Sequence, residues 1–126
     1  MTGNELELAR RVVACKAWRW IPGMLAVRPG VISMRVDFGP FEPPPEYDWI
    51  PGLTDTATYS CLLTLVRDAY NAPEACTGKV GPFWYVYPRT DNGIDQETEP
   101  IGMTWNDRYT TELAALVEAL EAACSQ

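Results

Sequence analysis

The chain has 126 residues, of which 47% are hydrophobic, and its formal net charge is −7. This length suits one domain with its own core, and the hydrophobic content excludes global disorder. The sequence holds no apolar run of the ~20 residues that a membrane-spanning helix needs. Its polar first residues do not match a signal peptide. We therefore expect a single domain over residues 1–126 that is soluble, cytoplasmic and not bound to membranes.

Charge is unevenly distributed along the chain. Residues 1–39 carry six basic and three acidic side chains, whereas residues 40–126 carry four basic and fourteen acidic ones. An acidic chain repels phosphate at long range, so bulk nucleic-acid binding is disfavoured. The basic front of the chain leaves a local anion site open, and the acidic remainder suits a positively charged partner.

A helix followed by a hairpin is predicted at the start of the chain. Over Asn4–Lys16 apolar side chains recur at intervals of three and four residues, and Asn4 is the candidate N-cap. A Pro-Gly dipeptide at 22–23 prevents a helix from continuing past the tryptophan-rich segment before it. Two strand-like runs, 24–27 and 31–38, flank a second Pro-Gly turn and predict an antiparallel hairpin.

Alternation along the second of these strands separates an apolar side from a polar side. We expect the apolar side to face the core. Its members are Ile32, Met34, Val36 and Phe38. Arg35 and Asp37 share the other side, where they face solvent or line a binding cleft.

The middle of the chain combines a proline-rich loop with the clearest helical pattern. Residues 39–52 hold five prolines together with Tyr47 and Trp49, and are predicted to form a loop. A helix is predicted over Leu53–Asn71, with Thr54 as its candidate N-cap and Asp55 in the first turn. The predicted buried stripe of this helix consists of Tyr59, Leu62, Leu63, Val66 and Tyr70.

Two strand-like runs and a helix are predicted in the second half of the chain. Phe83–Tyr87 is rich in aromatic residues and bounded by prolines, which indicates an edge strand or a brief central one. Met103–Trp105 has the composition of a further short strand. The last helix is predicted over Thr111–Ala123, and Leu116 on it, like Leu63 on the preceding helix, is an expected core residue.

The predicted order is helix, two strands, helix, one or two strands, helix. Short connections favour antiparallel pairing of neighbouring strands, and helices stacked on one face would cover the sheet. The sequence therefore predicts an α+β fold in which three helices pack on a small antiparallel sheet, formed by the hairpin and one or two short strands.

The four cysteines do not form a metal-binding motif. Cys15, Cys61, Cys76 and Cys124 are far apart in sequence, and the chain has no histidine. A zinc site is usually built from closely spaced cysteines or histidines. We expect reduced thiols, as in cytoplasmic proteins generally, with a single disulfide or a reactive thiol as alternatives. Neither a metal nor a cofactor is expected.

Large rings and arginines mark the candidate binding residues. Trp18, Arg19 and Trp20 form either one edge of the core or a surface that stacks on a ligand and binds its phosphate or carboxylate. Arg35 is the candidate for a cleft beside them. Trp84 and Tyr85 complete the set, and strand alternation puts them on opposite sides, one core and the other an interface.

The acidic stretch Asp91–Glu99 lacks the ligand pattern of a calcium loop. We interpret it as a solvated loop, with a carboxylate patch that imitates nucleic-acid phosphate as the alternative. The chain has no histidine, no nucleophile signature and no phosphate-binding glycine loop. No catalytic residue is therefore assigned, although paired carboxylates with shifted pKa values can catalyse hydrolysis without histidine.

Two parts of the chain carry a resemblance to a known family. The first joins residues 9–15, ARRVVAC, to residues 18–24, WRWIPGM, and the second joins residues 53–58, LTDTAT, to residues 61–69, CLLTLVRDA. Together they resemble a family of small proteins encoded by phages and prophages, which has no assigned activity. The resemblance covers roughly residues 9–70 and implies a viral setting, in the cytoplasm of an infected or lysogenic bacterial host.

Three functions are compatible with these observations. The leading hypothesis is a non-catalytic phage accessory protein, for example a counter-defence factor, that inhibits or redirects a host protein or protein complex by binding it. The second is a binder of a small anionic ligand, for example a nucleotide-sequestering protein with Trp18, Arg19 and Trp20 in its pocket. The third is a structural or assembly component of a phage particle. A deep pocket at these residues favours the second, and a flat acidic or aromatic face favours the first.

Overall fold

Three helices and five strands are formed within the residues that the computed structural model describes, which are 3–37, 48–88, 100–104 and 106–124. Their order is α1 (Gly3–Val13), β1 (Leu25–Arg28), β2 (Ile32–Arg35), β3 (Ile50–Pro51), α2 (Thr56–Ala69), β4 (Cys76–Val80), β5 (Phe83–Tyr87) and α3 (Glu112–Cys124). The α+β class and the three helices agree with the sequence prediction.

The strands form two separate antiparallel sheets. Strand β1 lies between β2 and β3 in a three-stranded sheet, and β4 pairs with β5 in a two-stranded sheet. Strands β3 and β4 were not predicted. The first is only two residues long and contains a proline, and the second holds a glycine and a lysine, so neither has a strand-like composition. Strand β3 is defined by its pairing with β1, which lies well before it in the chain. Strand β4 is defined by its pairing with β5, which directly follows it.

The ends of α1 and α2 differ from their predicted positions. Helix α1 begins at Gly3, so Asn4 lies within its first turn, and the prediction of Asn4 as N-cap is wrong. The N-cap of α2 is Asp55, whose carboxylate accepts a hydrogen bond from the Thr58 amide at 3.1 Å, and not Thr54. Aspartate is as good an N-cap as threonine, and its extended backbone starts the helix one residue later.

The core lies where the helices meet the hairpin. Helix α3 packs against α1, α2 and β5, and α1 also packs on β3. Fully buried apolar side chains from each of these parts form one cluster, which includes Val12, Met24, Ala26, Leu62, Leu65, Val66, Val86, Leu116, Val117 and Leu120. The prediction of Leu116 as a core residue is confirmed.

Helix α2 is rotated from the predicted orientation. Its buried residues are Thr58, Leu62, Leu65 and Val66. Leu63 is only half-buried against the core, so its prediction as a core residue is wrong. Four of the five residues from 62 to 66 are apolar, which makes two stripes equally plausible from sequence. Thr58 decides between them, because its hydroxyl has partners only when it faces the sheet.

Burial along β2 falls steadily toward the tip of the hairpin. Val36 is 2% exposed, Met34 is 41% exposed and Ile32 is 57% exposed. Met34 is paired with the buried Ala26, so the predicted apolar side does lie on the core side of the sheet. The expectation that Ile32 and Met34 are buried is nevertheless wrong, because the hairpin extends beyond the core. Phe38 lies outside the described residues.

Several other predictions concern parts of the chain that are wholly or partly outside the described residues. These are most of the proline-rich loop, the acidic stretch Asp91–Glu99, and Trp105. Met103 and Thr104 are described and do not belong to a strand; the Thr104 amide donates to the Asp107 carboxylate at 2.8 Å in a tight turn. Within the described ranges, no helix combines the length and apolar character needed to cross a membrane.

Leu116→Ala and Leu62→Ala are each expected to lower the free energy of unfolding by about 2–5 kcal/mol, because both fully buried side chains would leave cavities. Leu63→Ala should cost clearly less, since its side chain is only half-buried. Urea denaturation followed by circular dichroism measures all three. Equal losses for Leu62 and Leu63 would contradict the observed orientation of α2.

Candidate functional site

The tryptophan-rich segment lies along α2 and runs in the opposite direction. Near its start, Arg19 forms an ion pair with Asp68 in the last turn of α2. Further on, the Cys61 thiol lies 3.9 Å from the Pro22 carbonyl oxygen, one helical turn beyond the start of α2. Gly23, with a φ of 104°, then turns the chain into β1. A side chain is disfavoured at this φ, which explains why glycine follows the proline.

Trp18 and Trp20 contact each other at the start of this segment. Their ring centroids are 5.3 Å apart and their planes are nearly perpendicular, at 83°. Both rings are half-buried and pack against the core cluster. Such an edge-to-face pair adds to the stabilisation from burial. The tryptophans therefore serve as one edge of the core, although each keeps part of its surface exposed.

The Trp18 indole has a buried polar atom that is not satisfied. Its Nε1 has no hydrogen-bond partner among the described residues. A buried donor without a partner is costly, so this N–H is a weak point of the local packing.

Arg19 is exposed, but its guanidinium is held by a carboxylate. The side chains of Arg19 and Asp68 are 58% and 52% exposed, so the pair lies in solvent. Beside it is an open cavity of about 300 Å³. Its walls are formed by Lys16, Ala17, Trp18, Arg19, Leu65, Asp68 and Ala69. An anionic ligand here meets Lys16 and Arg19 favourably and Asp68 unfavourably.

Arg35 connects three parts of the chain near the N-terminal end of α2. Its guanidinium donates to the Asp55 carboxylate at 2.5 Å and to the Gly23 carbonyl at 3.0 Å. This guanidinium, together with the hydrogen bonds from Thr58, lowers the pKa of Asp55 to about 2 despite partial burial. Arg35 thus ties β2 to the N-terminus of α2 and to the turn before β1.

Trp84 and Tyr85 lie on the second sheet. Tyr85 is only 4% exposed, so it is the member of the pair that belongs to the core and offers little surface to a partner. Tyr85, Val86 and Tyr87 are buried in succession, which shows that both sides of β5 are covered there and that alternation did not separate core from surface. Trp84 is half-buried, with the Lys79 ammonium 5.9 Å from its ring centroid and its amide donating to the Tyr109 carbonyl at 2.8 Å.

The six predicted site residues therefore do not form one site. Trp18, Arg19 and Trp20 are together near the C-terminal end of α2, and Arg35 is at its N-terminal end. A 14-residue helix separates these ends by about 20 Å. Trp84 and Tyr85 belong to a different sheet.

The most exposed apolar surface was missed by the sequence analysis. Val31, in the hairpin turn, is 64% exposed; Ile32 and Met34, on β2, are 57% and 41% exposed. The only signal for this surface was the apolar content of the hairpin tip, where the alternation pattern assigned Ile32 and Met34 to the core. We call the side chains of Val31, Ile32 and Met34 the hairpin patch.

The hairpin patch lies on an open sheet edge. Within the described residues β2 pairs only with β1, so β2 is the edge strand. The Val36 amide donates to the Met24 carbonyl at 2.8 Å, and the register continues two residues on to the Ala26–Met34 pair. Antiparallel ladders alternate, so the N–H and C=O groups of Ser33 and Arg35 point away from β1. These groups are available to another strand.

In the part of the chain that the structure describes, the remaining ionisable groups do not form a recognisable reaction centre. Among the described residues, no three potential ligands come together as a metal site. Burial raises the pKa of Tyr109 to about 12, with nearby carboxylates adding to the effect. Arg11 donates hydrogen bonds to the carboxylates of Glu121 and Glu118, which raise its pKa and join α1 to α3. These shifts follow from packing and ion pairing.

Comparison with models of protein families, with curated proteins and with solved structures finds no match for this chain. The resemblance to phage-encoded proteins stays a prediction.

Trp18→Ala is expected to lower the free energy of unfolding by about 2–4 kcal/mol, because the ring packs against both Trp20 and the core. Arg19→Ala should cost less than about 1 kcal/mol, because its ion pair is exposed. Chemical denaturation distinguishes the two. A larger loss for Arg19→Ala would show that the segment is held to α2 mainly by charge.

Asp55→Asn should be less stable than the wild type at pH 7 by up to about 1 kcal/mol, after allowance for the exposed side of the ion pair. The lowered pKa of Asp55 means that its contribution is complete above its ordinary pKa and is lost as the pH falls toward about 2. The difference between the two proteins should therefore shrink between about pH 4 and pH 2.

Asp55→Ala is the companion variant, because it removes the N-cap as well as the charge and should cost about 1 kcal/mol more. Urea denaturation at several pH values measures these effects. A stability difference between wild type and Asp55→Asn that does not vary over this pH range would mean that Arg35 does not stabilise the Asp55 carboxylate.

Proposed function

We propose that this chain is a non-catalytic binding protein that captures an extended segment of a host protein at the open edge of β2. The observation that carries the proposal is the hairpin patch, in which Ile32 and Met34 are exposed on an edge strand and Val31 is exposed in the turn before it. Monomeric proteins usually protect such edges with charges, prolines or a covering element, because an open apolar edge invites a further strand. An edge left in this state favours a binding role.

The backbone of β2 supports the same kind of partner. The outward N–H and C=O groups of Ser33 and Arg35 offer hydrogen bonds to any sequence in extended conformation, and Ile32 and Met34 offer apolar contacts on one side of the sheet. Main-chain bonds supply affinity and alternate side chains supply specificity in this mode of recognition. A partner strand with apolar residues at alternate positions fits both features.

Charge indicates the chemistry of the occupant. Residues 24–36 contain Arg28 and Arg35 and no acidic residue, although the whole chain has a net charge of −7. Two chains with a net charge of −7 repel each other, which disfavours a second copy of this chain at the edge. We therefore assign the edge to a different protein, whose strand presents apolar side chains to Ile32 and Met34.

The resemblance to phage-encoded proteins supplies the setting for this proposal. A small protein made in an infected or lysogenic bacterium encounters host proteins in the cytoplasm. Occupying a strand of a host protein or complex blocks or redirects it without chemistry, as a counter-defence factor does. The proposal thus retains the leading hypothesis from sequence and moves the binding surface from the tryptophans to β2.

The small-ligand hypothesis has one supporting observation, the open cavity of about 300 Å³ beside Trp18 and Arg19. The Asp68 carboxylate in its wall opposes an anion, and the Arg19 guanidinium is already engaged. If a nucleotide binds there, Arg19→Ala weakens that binding and substitutions in β2 leave it unchanged. Equilibrium dialysis against nucleotides tests this alternative separately.

Ser33→Pro is the sharpest test of the proposal. Ser33 sits opposite Val27 at a position whose N–H points outward, so proline removes a hydrogen bond to the partner and none to β1. We expect at least a tenfold loss of affinity for the captured host segment, with the fold retained by circular dichroism. Val80→Ser is the matched control, because Val80 is an apolar residue 47% exposed on the other sheet.

Hydrogen exchange of the backbone amides locates the binding surface. In the free protein, hydrogen exchange should be faster at the amides of Ser33 and Arg35 than at Met34, which faces β1. Addition of the partner, first captured from bacterial lysate and then purified, should slow exchange at Ser33 and Arg35. A partner that binds Ser33→Pro as tightly as wild type, or protects only residues elsewhere, would refute the proposed surface.

A further inference from the structure

Two cysteines that are distant in sequence meet where α1 and α3 end. Cys15 follows the last residue of α1 by two positions, and Cys124 is the last residue of α3. Both thiols line an open cavity of about 280 Å³. Its other walls are Arg11, Ala14, Lys16 and Glu121. The cavity lies away from β2, so it is independent of the proposed binding edge.

The ion pairs of Arg11 set the alignment that brings these thiols together. Arg11 donates to Glu118 at 2.5 Å and also to Glu121, which holds the last turns of α1 and α3 side by side. Cys15 comes four residues after Arg11, and Cys124 comes three residues after Glu121. Each cysteine is thus one helical turn beyond its half of the ion pair and on the same side.

The two thiols have complementary hydrogen bonds. The Cys15 thiol donates toward the Arg11 carbonyl at 3.7 Å, and the Ala17 amide donates to the Cys124 sulfur at 3.3 Å. Burial, and then contact with Cys124, raises the pKa of Cys15 to about 12. The raised pKa means that the Cys15 thiol holds its proton at neutral pH.

We propose that Cys15 and Cys124 form a redox-modification site, at which a small-molecule disulfide converts the pair into an intramolecular disulfide. Both cysteines are partly exposed and line the same open cavity, which gives a reagent of the glutathione type a route to them. The other two cysteines are placed differently. Cys61 faces the Pro22 carbonyl on α2, and Cys76 is the first residue of β4.

The reaction takes place in two thiol–disulfide exchanges. The Cys124 thiolate, after loss of its proton to solvent, attacks one sulfur of the reagent; the reagent S–S bond breaks and the released thiolate takes up a proton. Cys15 then gives up its proton to solvent and its sulfur attacks the Cys124 sulfur of this mixed disulfide; the bond between Cys124 and the reagent breaks, and the second reagent thiolate leaves and takes up a proton. The two cysteines lose two electrons together, and the reagent is reduced to two thiols.

The test treats the folded protein with oxidised glutathione at pH 8.5 and follows free thiols and intact mass. Before oxidation the wild type has four titratable thiols. After oxidation two should remain, those of Cys61 and Cys76, which are alkylated only at that stage. A peptide map should then show residues 15 and 124 joined. Cys15→Ser should stop at a glutathione adduct on Cys124. The Cys61→Ser and Cys76→Ser variants should still form the internal bond.

Comparison with the unfolded chain shows whether the fold, and not random encounter, brings the two thiols together. Because the fold holds the two sulfurs together, the internal bond should form at least tenfold faster in buffer than in urea. The oxidised protein should also melt at least roughly 5 °C higher, since the new bond closes a loop of more than a hundred residues. An equal rate in urea, a link that involves Cys61 or Cys76, or glutathione adducts without an internal bond would overturn the proposal.

Discussion

Asp55 and Thr58 join the three-stranded sheet to α2, and the placement of the other elements depends on this junction. The Asp55 carboxylate caps α2, accepts from the Thr58 hydroxyl at 2.9 Å and holds Arg35 of β2. The Thr58 hydroxyl accepts in turn from the Leu25 amide of β1 at 2.8 Å. Thr58 is fully buried, so these bonds satisfy a polar group that would otherwise be costly inside the core.

The junction has two consequences for the surface. Because it fixes the base of the hairpin against α2, the base is buried and the tip extends past the core, which leaves Ile32 and Met34 exposed. It also positions the tryptophan-rich segment, whose far end is held by Arg19 and Asp68 at the opposite end of α2. The hairpin tip is therefore exposed, whereas the tryptophan-rich segment is largely packed against the core.

A third contact region joins the first helix, α1, to the last helix, α3. Helix α3 buries most of one side, and Arg11 connects it to α1 through two carboxylates. This region carries the paired thiols of Cys15 and Cys124, and it does not touch the hairpin patch. The two proposals made from the structure thus rest on separate parts of the molecule, and a change at one need not alter the other.

The sequence by itself determined the elements that local physics controls. Apolar periodicity predicted three helices, and a Pro-Gly turn predicted the hairpin. The prolines on either side of Phe83–Tyr87 predicted both ends of β5. Strand β3, the rotation of α2 and the burial of Tyr85 were decided by contacts with parts far along the chain. Strand β4 was decided by pairing with β5 across a tight turn, because its own composition is not strand-like. The candidate sites show the same division. Sequence could identify Arg19 and Arg35 as cations, but only the fold paired them with Asp68 and Asp55. The fold also exposed Ile32 at a sheet edge and brought Cys15 close to Cys124. Charge neutralisation, exposure and proximity all depend on packed neighbours, which a local stretch of sequence does not contain.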